Sequence, residues 1–272
     1  MKSVGERSRT SVDSYLIESV MRMEGVAKVF VINLRRRPDR LDDFFKRCPY
    51  KDVTVVEAVD GFDPNTFSLS PSVGPSTNQL YLRYRGIQSV SPSARKMRHG
   101  EFGCMASHVA VYAMMVEQGI PHAVIFEDDV FFTENFATVI WPKLLSAMGN
   151  SAPTGPTGIL YIGGRFDDNA RLPAFRESGM SDSLVFHDFE KGTWDWWQED
   201  RTTHAYVITL EMAKRLLGHF LEGDGTTLPL DHALFQFFKR TATPPLNAQP
   251  LVCYCPTGYE SDIQGKSDHI PL

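Results

Sequence analysis

The sequence contains no run of apolar residues long enough to cross a lipid bilayer. Residues 1–26 carry scattered charges without an apolar centre, so they do not have the form of a secretory signal. An excess of basic residues is also missing. The formal net charge is −5, and binding to nucleic acid requires a concentrated basic surface. We therefore expect a cytoplasmic protein with a loose or helical leader at residues 1–26, no transmembrane segment and no nucleic-acid partner.

Cysteine is scarce as well. The four cysteines do not form a zinc-binding pattern, because the closely spaced Cys253 and Cys255 have no second pair. Their alternation instead suits a strand that places both side chains on one face. In the absence of an export signal, we expect Cys48, Cys104 and the other two to be reduced.

The rest of the chain is rich enough in apolar residues to build one large core, since 42% of its 272 residues are hydrophobic. Strand-like runs such as "KVFVINL", "HAVIF", "ILYIGG" and "THAYVITL" alternate with helix-like segments. This order predicts an α/β fold with a mainly parallel, Rossmann-like sheet flanked by helices. Residues 27–272 are expected to form one domain. Residues 63–99, rich in Ser, Pro and Asn, are expected to form a long mobile loop.

Two helices have clear boundaries in the sequence. Pro38 is suited to the first position of a helix after the first strand, because its missing N–H costs nothing there. Leu41, Phe44 and Phe45 are expected to form the inner face of this helix. A later helix, "GEFGCMASHVAVYAMMVEQG", is expected to end at Gly119.

Three consecutive acids interrupt the apolar segment "HAVIFEDDVFF" at the carboxyl end of a predicted strand. If the chain stays extended there, Glu127 and Asp129 project to one side and Asp128 to the other. Two carboxylates on one side repel each other unless a cation lies between them. Hard oxygen ligands of this kind suit Mn²⁺ or Mg²⁺, which in turn hold substrate phosphates. Alternatively, Asp128 caps the following helix and its neighbours are solvated.

Two other segments are expected to reach the same edge of the sheet. Ligands of parallel α/β sheets bind in the crevice at the carboxyl ends of the strands. Asn33 and Leu34 lie at that end of the first strand, and Gly163 and Gly164 at that end of a later one. The sequence therefore predicts one ligand-binding rim built from three segments.

The segments "VFVINLRRRPDR", "GEFGCMASH", "AVIFEDDV", "HAYVIT", "LDHALF" and "SDIQ" resemble, in this order, the motifs of glycosyltransferase family 25. That family includes bacterial lipopolysaccharide glycosyltransferases and procollagen hydroxylysine galactosyltransferases. The resemblance runs from about Val29 to Gln264. It implies a GT-A fold, a UDP-sugar donor, commonly UDP-galactose, and inversion at the anomeric carbon with a divalent metal. It also implies that Glu127, Asp128 and Asp129 are the family's metal-binding acidic motif, similar to a DXD motif.

The sequence departs from the family in two respects. The segment at residues 63–99 has no counterpart in the family motifs. The chain also shows no signal peptide or retention signal, unlike the animal enzymes that act on collagen in the secretory pathway.

The resemblance also indicates where the nucleotide-sugar would bind. Arg37 and Arg40 could pair with diphosphate oxygens as forked donors; alternatively they begin a solvated helix, with Arg40 paired to a nearby aspartate. Gly103 is expected to allow close packing or close approach of the ligand. The full set assigned to the nucleotide-sugar is Asn33, Leu34, Arg37, Arg40, Asp60, Gly103, Ser107, Asp128, Gly163 and Gly164.

Two residues are candidates for proton transfer. Asp231 could be the catalytic base, because an acceptor hydroxyl must lose its proton in an inverting single displacement. It could instead be an outer ligand of the metal or the N-cap of a helix. His108 could donate to a phosphate or accept a proton; the alternative is a packed, hydrogen-bonded histidine.

The acceptor site has weaker signals. Trp194, Trp196 and Trp197 in "GTWDWWQED" could stack on a sugar ring, although tryptophans in such loops are often anchored in a core. Asp262 is a further acceptor candidate, and His269 in the tail is a weak candidate for a metal ligand.

Together these features predict a metal-dependent, inverting transferase. It would move galactose or glucose from a UDP-sugar to the hydroxyl of a glycan, a lipid-linked saccharide such as lipopolysaccharide, or hydroxylysine. One alternative is a catalytically inactive binding or adhesion module with the same fold. Another is metal-assisted phosphoryl transfer, but neither a nucleophilic aspartate with a partner lysine nor a two-metal acidic set can be assembled from the sequence.

Overall fold

The computed structural model describes residues 28–63, 97–133, 136, 158–166, 185–188, 202–222, 228–243, 245–249 and 253–256. The predicted leader at residues 1–26 and nearly all of the predicted loop at residues 63–99 lie outside these ranges. No helix within them is long and apolar enough to span a bilayer.

The centre of the fold is a seven-stranded sheet with the strand order β2-β1-β3-β8-β5-β9-β7. Its strands are β1 (Lys28–Asn33), β2 (Thr54–Glu57), β3 (His122–Glu127), β5 (Ile159–Tyr161), β7 (Val185–Asp188), β8 (Ala205–Thr209) and β9 (Leu246–Gln249). Strand β8 runs antiparallel to β3 and β5, and β7 runs antiparallel to β9. The other five strands share one direction. The sheet is therefore mixed and mostly parallel, as predicted for this α/β protein.

Both faces of the sheet are covered. Helices α2 (His99–Gln118), α3 (Leu210–Glu222) and α4 (Leu230–Thr241) share one core cluster with the sheet. Helix α1 (Pro38–Arg47) shares the other, together with a small sheet of β4 (Phe131–Phe132), β10 (Cys253–Pro256) and β6 (Gly163–Phe166). Successive residues of β3 alternate between the two clusters, as expected for a strand buried on both faces.

Helix α1 begins at Pro38, as predicted, but its buried face differs from the prediction. Arg40 and Phe44, four residues apart, are the buried residues of this helix. The side chain of Phe45 is 40% exposed, so its assignment to the inner face is wrong. Because neighbouring residues point about 100° apart on a helix, the stripe centred on Arg40 and Phe44 leaves Phe45 at the edge.

Helix α2 runs along the sheet and supplies one wall of the site described below. The carboxylate of Glu101 accepts a hydrogen bond of 2.9 Å from the backbone N–H of Arg98, which caps the first turn. The helix ends at Gly119, whose φ of 64° is left-handed; the predicted C-cap is confirmed.

The four cysteines all lie in the described part of the chain, and none of them forms a disulfide. Cys253 and Cys255 belong to β10 and both are buried. The prediction that this pair lies in a strand is confirmed.

Candidate functional site

A cavity opens at the carboxyl ends of β1 and β3, against the first half of α2. Because β1 and β3 are parallel neighbours, the segments that follow them meet at one edge of the sheet. Nine residues assigned to the site from the sequence line this cavity together: Leu34, Arg40, Asp60, Gly103, Ser107, His108, Glu127, Asp128 and Asp129. Two of the three segments predicted to form a ligand-binding rim, those at the ends of β1 and β3, meet at this cavity, and the segment after β2 and helix α2 complete its lining.

The three consecutive acids do not follow an extended chain. Strand β3 ends at Glu127, and Asp128 and Asp129 form a turn in which the N–H of Val130 lies 3.3 Å from the carbonyl oxygen of Glu127. As a result, Glu127 contacts His108 of α2 while the two aspartates contact Arg40 of α1. The expectation that Glu127 and Asp129 share one side does not apply, because the strand stops one residue too early.

Arg40 joins the two aspartates. Its Nη2 atom contacts Oδ1 of Asp128 and lies 3.1 Å from Oδ2 of Asp129. All three residues are buried. Asn33 completes the set, because its Nδ2 donates to Oδ2 of Asp128 at 2.6 Å and to the carbonyl oxygen of Arg37 at 3.0 Å. Of the two interpretations of Arg40, the structure shows the pairing with a nearby aspartate.

Arg47 holds the backbone of the acidic turn. Its Nη2 donates to the carbonyl oxygen of Asp128 at 3.2 Å, and its Nε donates to that of Val130 at 3.3 Å. The guanidinium also lies 4.0 Å from the ring centre of Phe131. The sequence analysis missed Arg47. The available signal was its spacing of seven residues from Arg40, which places both on one helix face.

Glu127 sits among donors. The hydroxyl of Thr203 donates to its Oε1 at 2.8 Å, and Nε2 of His108 lies 3.4 Å from the same oxygen. Burial raises the pKa of Glu127, but the nearby imidazoles of His204 and His108 and the Thr203 hydrogen bond outweigh it, so the pKa falls below its ordinary value. Glu127 is therefore ionised at neutral pH.

The pKa of Asp128 is shifted in the opposite direction to that of Glu127. Burial raises its pKa to about 6, with the charges of Asp129 and Glu127 adding to the shift, while Arg40 and Asn33 oppose it. Three adjacent acids, two of them buried and one half-buried, with one paired guanidinium leave a negative potential in the cavity. Such a potential attracts a cation.

The donor chemistry of the cavity fits a divalent ion. Oδ1 of the buried Asp129 has no hydrogen-bond partner among the described residues. An unsatisfied carboxylate oxygen next to two further carboxylates is a suitable ligand for a hard cation. Two groups of donor atoms also lie within 4.8 Å of one another: Cys104, His108 and Glu127, and Asp129, His204 and Cys255. The sequence analysis assigned no ligand role to these cysteines or to His204.

His108 is buried at the base of the cavity. Its Nδ1 lies 2.7 Å from the hydroxyl of Tyr206, which lies 2.8 Å from the hydroxyl of Tyr112. The rings of His108 and Tyr206 are stacked with centroids 5.6 Å apart. Its ring is fixed by these contacts, so only Nε2 faces Glu127.

Gly103 and Ser107 attach α2 to the segment after β2. A Cβ atom on Gly103 would lie 2.6 Å from the carbonyl oxygen of Val59 and 2.7 Å from the backbone nitrogen of Gly61. The hydroxyl of Ser107 donates to the carbonyl oxygen of Gly103 at 2.6 Å and accepts from the N–H of Val59 at 2.8 Å. Close packing, one of the two reasons predicted for Gly103, is present.

Arg36 and Asp60 form the outer wall. Oδ2 of Asp60 accepts from Nε of Arg36 at 2.7 Å, and the side chain of Arg36 is 45% exposed. Arg36 also lines the cavity, although the sequence analysis assigned it no role there. Arg37 instead pairs with Asp39 at 2.9 Å on the surface.

Comparison with known protein families identifies one that matches most of the chain. The profile of glycosyltransferase family 25 (LPS biosynthesis protein) matches residues 26–234. The chain belongs to glycosyltransferase family 25.

Three relatives show what this family 25 chain is similar to. It is 28% identical to procollagen galactosyltransferase 2 of Homo sapiens over 249 residues, covering 86% of this chain and 36% of that protein. It is 33% identical to inactive glycosyltransferase 25 family member 3 of Homo sapiens over 262 residues, covering 90% and 39%. It is 24% identical to procollagen galactosyltransferase 1 of Danio rerio over 251 residues, covering 88% and 37%.

The chain spans less than half the length of these curated relatives. Because relatives named as enzymes and relatives named as inactive both match, turnover by this family 25 chain has to be argued from its own site.

The remaining predicted site residues lie apart from the family 25 cavity or outside the described residues. Gly163 begins β6, and a Cβ there would lie 2.7 Å from that of Ala205; it and Gly164 are not among the described residues that line the cavity. Asp231 is exposed in the first turn of α4, whose N-cap is Pro229, so the N-cap interpretation is wrong. The residues outside the described ranges are Trp194, Trp196, Trp197, Asp262 and His269.

Proposed function

We propose that this family 25 chain transfers a hexose, galactose or glucose, from a UDP-sugar to a hydroxyl acceptor, with inversion and with the help of a divalent cation. The observation that carries the proposal is the group of three adjacent acids at the carboxyl end of β3, of which Asp128 and Asp129 are buried and Glu127 is half-buried, with an unsatisfied oxygen on Asp129. The acids line a cavity at the edge of a mostly parallel sheet, where ligands of such sheets bind.

Glu127, Asp128 and Asp129 would hold Mn²⁺ or Mg²⁺. The bound ion would supply positive charge for the departing diphosphate. Asn33 and Arg40 orient Asp128 through their contacts with its two carboxylate oxygens. His269, which lies outside the described residues, remains a weak candidate for a further ligand.

The nucleotide-sugar would lie along the wall formed by the ends of β1 and β2. Leu34 and Asp60 border the cavity there, and the guanidinium of Arg36 is near enough to solvent to meet a diphosphate as a forked donor. Gly103 and Ser107 keep this wall in place. Arg37 remains a candidate from the family motifs alone, and Gly163 and Gly164 from their place at the end of a predicted strand.

Asp231 is the better candidate for the base that takes the acceptor proton. It is exposed at the start of α4, and its charge lies close enough to the thiol of Cys104 to raise the pKa of that group, after the larger effects of burial and Glu127. His108 is 1% exposed, which suits it to hold Glu127 in position rather than to meet the acceptor.

Acceptors with an accessible hydroxyl, such as a glycan, a lipid-linked saccharide or hydroxylysine, would approach from the side of Asp231. Trp194, Trp197 and Asp262 are the acceptor contacts proposed from the sequence.

Hydrolysis of nucleotide-sugars tests the proposal. UDP-galactose and UDP-glucose are incubated with the protein in Mn²⁺, in Mg²⁺ and in chelator, and released UDP is measured. We expect release that requires the ion and disappears in the double variant Glu127→Ala, Asp129→Ala. The matched control Glu117→Ala removes an exposed acid from the far end of α2 and should leave the rate unchanged. Undiminished release by the double variant in chelator would refute the proposal.

A binding module without turnover is the second candidate. The 33% identity to a relative named inactive favours it, as does the position of Arg40, which already balances part of the charge of both aspartates. In that case UDP would bind, measured by calorimetry, while no UDP-sugar would be hydrolysed with either ion.

A further inference from the structure

The base of the cavity contains a second type of ligand set. Cys104 and His108 lie four residues apart on α2, so both side chains face the same direction. They face the carboxyl end of β3, and the ligating atoms of Cys104, His108 and Glu127 all lie within 4.8 Å of one another. We infer that these three residues form a binding site for a borderline divalent cation such as Zn²⁺ or Co²⁺. The inference rests on the proposed function in so far as Glu127 belongs to both ligand sets.

The orientation of His108 is that of a metal ligand. Nδ1 lies 2.7 Å from the hydroxyl of Tyr206, which fixes the ring, and Nε2 is aimed at Glu127 at 3.4 Å. Nε2 is buried and has no hydrogen-bond partner among the described residues, while the whole side chain is 1% exposed. Metal-binding histidines usually engage their second ring nitrogen in such a hydrogen bond. A cation next to Nε2 and the Glu127 oxygen would satisfy both.

The chemistry of the three donors selects the cation. A thiolate, an imidazole and a carboxylate suit Zn²⁺ or Co²⁺, whereas Mg²⁺ prefers oxygen ligands alone. Three protein ligands leave a position open, and here it would face the cavity, which all three residues line. Burial, followed by the carboxylates of Glu127, Asp231 and Asp129, raises the pKa of the Cys104 thiol. A bound cation would therefore have to displace the thiol proton, while the same carboxylates would attract the ion.

The other group of donors, Asp129, His204 and Cys255, is less suited to the same ion. Asp129 already belongs to the acidic site proposed above, where it is paired with Arg40. Nδ1 of His204 is in contact with the hydroxyl of Thr202. Among the described residues that line the cavity, Asp129 is the only member of this group.

Cobalt spectroscopy tests the inference without requiring turnover. The full chain, free of any affinity tag, is treated with chelator, dialysed and titrated with Co²⁺. We expect a thiolate-to-cobalt charge-transfer band that saturates at one ion per chain and is displaced by Zn²⁺. Cys104→Ser should abolish the band, whereas Cys48→Ser, which removes a half-buried thiol packed against the opposite core cluster, should retain it.

Two further variants distinguish a metal-binding site from a group of side chains that only supports the fold. Tyr206→Phe removes the hydroxyl that holds Nδ1 of His108, and Zn²⁺ affinity should fall roughly 10–100-fold. Cys255→Ser should leave the band in place. A wild-type protein without the band, or a band that survives in Cys104→Ser and is lost in Cys255→Ser, would overturn the inference.

The two proposals fail in different ways. If UDP-sugar is hydrolysed in Mn²⁺ but Co²⁺ gives no thiolate band, the proposed function stands and this site does not exist. If the band appears with its dependence on Cys104 but no UDP-sugar is hydrolysed with any divalent ion, the site stands and the proposed function fails.

Discussion

Nη2 of Arg40 lies 3.1 Å from Oδ2 of Asp129, and both side chains are buried. The same nitrogen contacts Asp128. A guanidinium therefore balances the two aspartates that are proposed to hold a divalent ion. The positive guanidinium of Arg40 would repel a divalent ion bound to the same carboxylates. Arg40 therefore sets how strongly these acids attract an ion.

Replacement of Arg40 by methionine should destabilise the metal-free protein, since it leaves two buried carboxylates without their counter-charge. The expected loss is about 3–5 kcal/mol, measured by urea denaturation in chelator. Mn²⁺ should restore more stability to Arg40→Met than it adds to the wild type, because the ion takes the place of the guanidinium charge. The control Arg35→Met removes an exposed arginine from the turn before α1. It should unfold at the same urea concentration as the wild type. Equal urea midpoints for Arg40→Met and the wild type would contradict this account.

Two glycines on neighbouring helices should respond oppositely to alanine. A Cβ on Gly103 would meet backbone atoms of Val59 and Gly61 at 2.6 and 2.7 Å, so Gly103→Ala should cost about 1–3 kcal/mol and weaken UDP binding by displacing the cavity wall. Gly218 lies in α3, and nothing lies within 4 Å of an added Cβ. Gly218→Ala should stabilise the helix by about 0.5–1 kcal/mol. Thermal unfolding compares the two, and a Gly103→Ala protein as stable as Gly218→Ala would show that the close approach is not required.

Much of the fold could be predicted because its signals are local. The apolar run of β1, Pro38 at the start of α1 and Gly119 at the end of α2 each depend on neighbouring residues alone. The meeting of the acids with Leu34 followed from a general property of parallel sheets, whereas Gly163 and Gly164, predicted at the same rim, do not line the cavity. The direction of β8, which is antiparallel to both of its neighbours, depends on long-range pairing and left no local signal.

The side-chain directions within the site could not be predicted for the same reason. The acidic segment reads as an extended continuation of β3, but a turn begins at Asp128 and separates Glu127 from the aspartates. Arg40 occupies a buried helix position where a sequence pattern places an apolar residue. Its partners lie 88 and 89 residues away in the sequence. No periodicity connects them.

Arg47 should influence the acids through their backbone. Its guanidinium donates to the carbonyl oxygens of Asp128 and Val130, so Arg47→Ala loosens the turn without touching a carboxylate. We expect a loss of about 1.5–3 kcal/mol in stability and weaker Mn²⁺ binding by calorimetry. Lys46→Ala, one residue earlier, removes an exposed lysine that pairs with Asp43 on the surface. It should change neither quantity, and a Lys46→Ala protein that behaves like Arg47→Ala would point to a general effect of charge.

Asp231 should separate acceptor activation from donor binding. If its carboxylate takes the acceptor proton, Asp231→Asn should lower sugar transfer roughly 10²–10⁴-fold, with an acceptor identified by screening hydroxylysine peptides and saccharides. UDP affinity in Mn²⁺ should stay the same, because the acids that would hold the ion lie on β3 and the turn after it. Glu211→Gln changes an acid in the first turn of α3, the position that corresponds to Asp231 in α4, and should transfer at the wild-type rate. If Asp231→Asn retains wild-type transfer, the base must be sought elsewhere. If it loses UDP affinity and transfer together, Asp231 belongs to the metal environment instead.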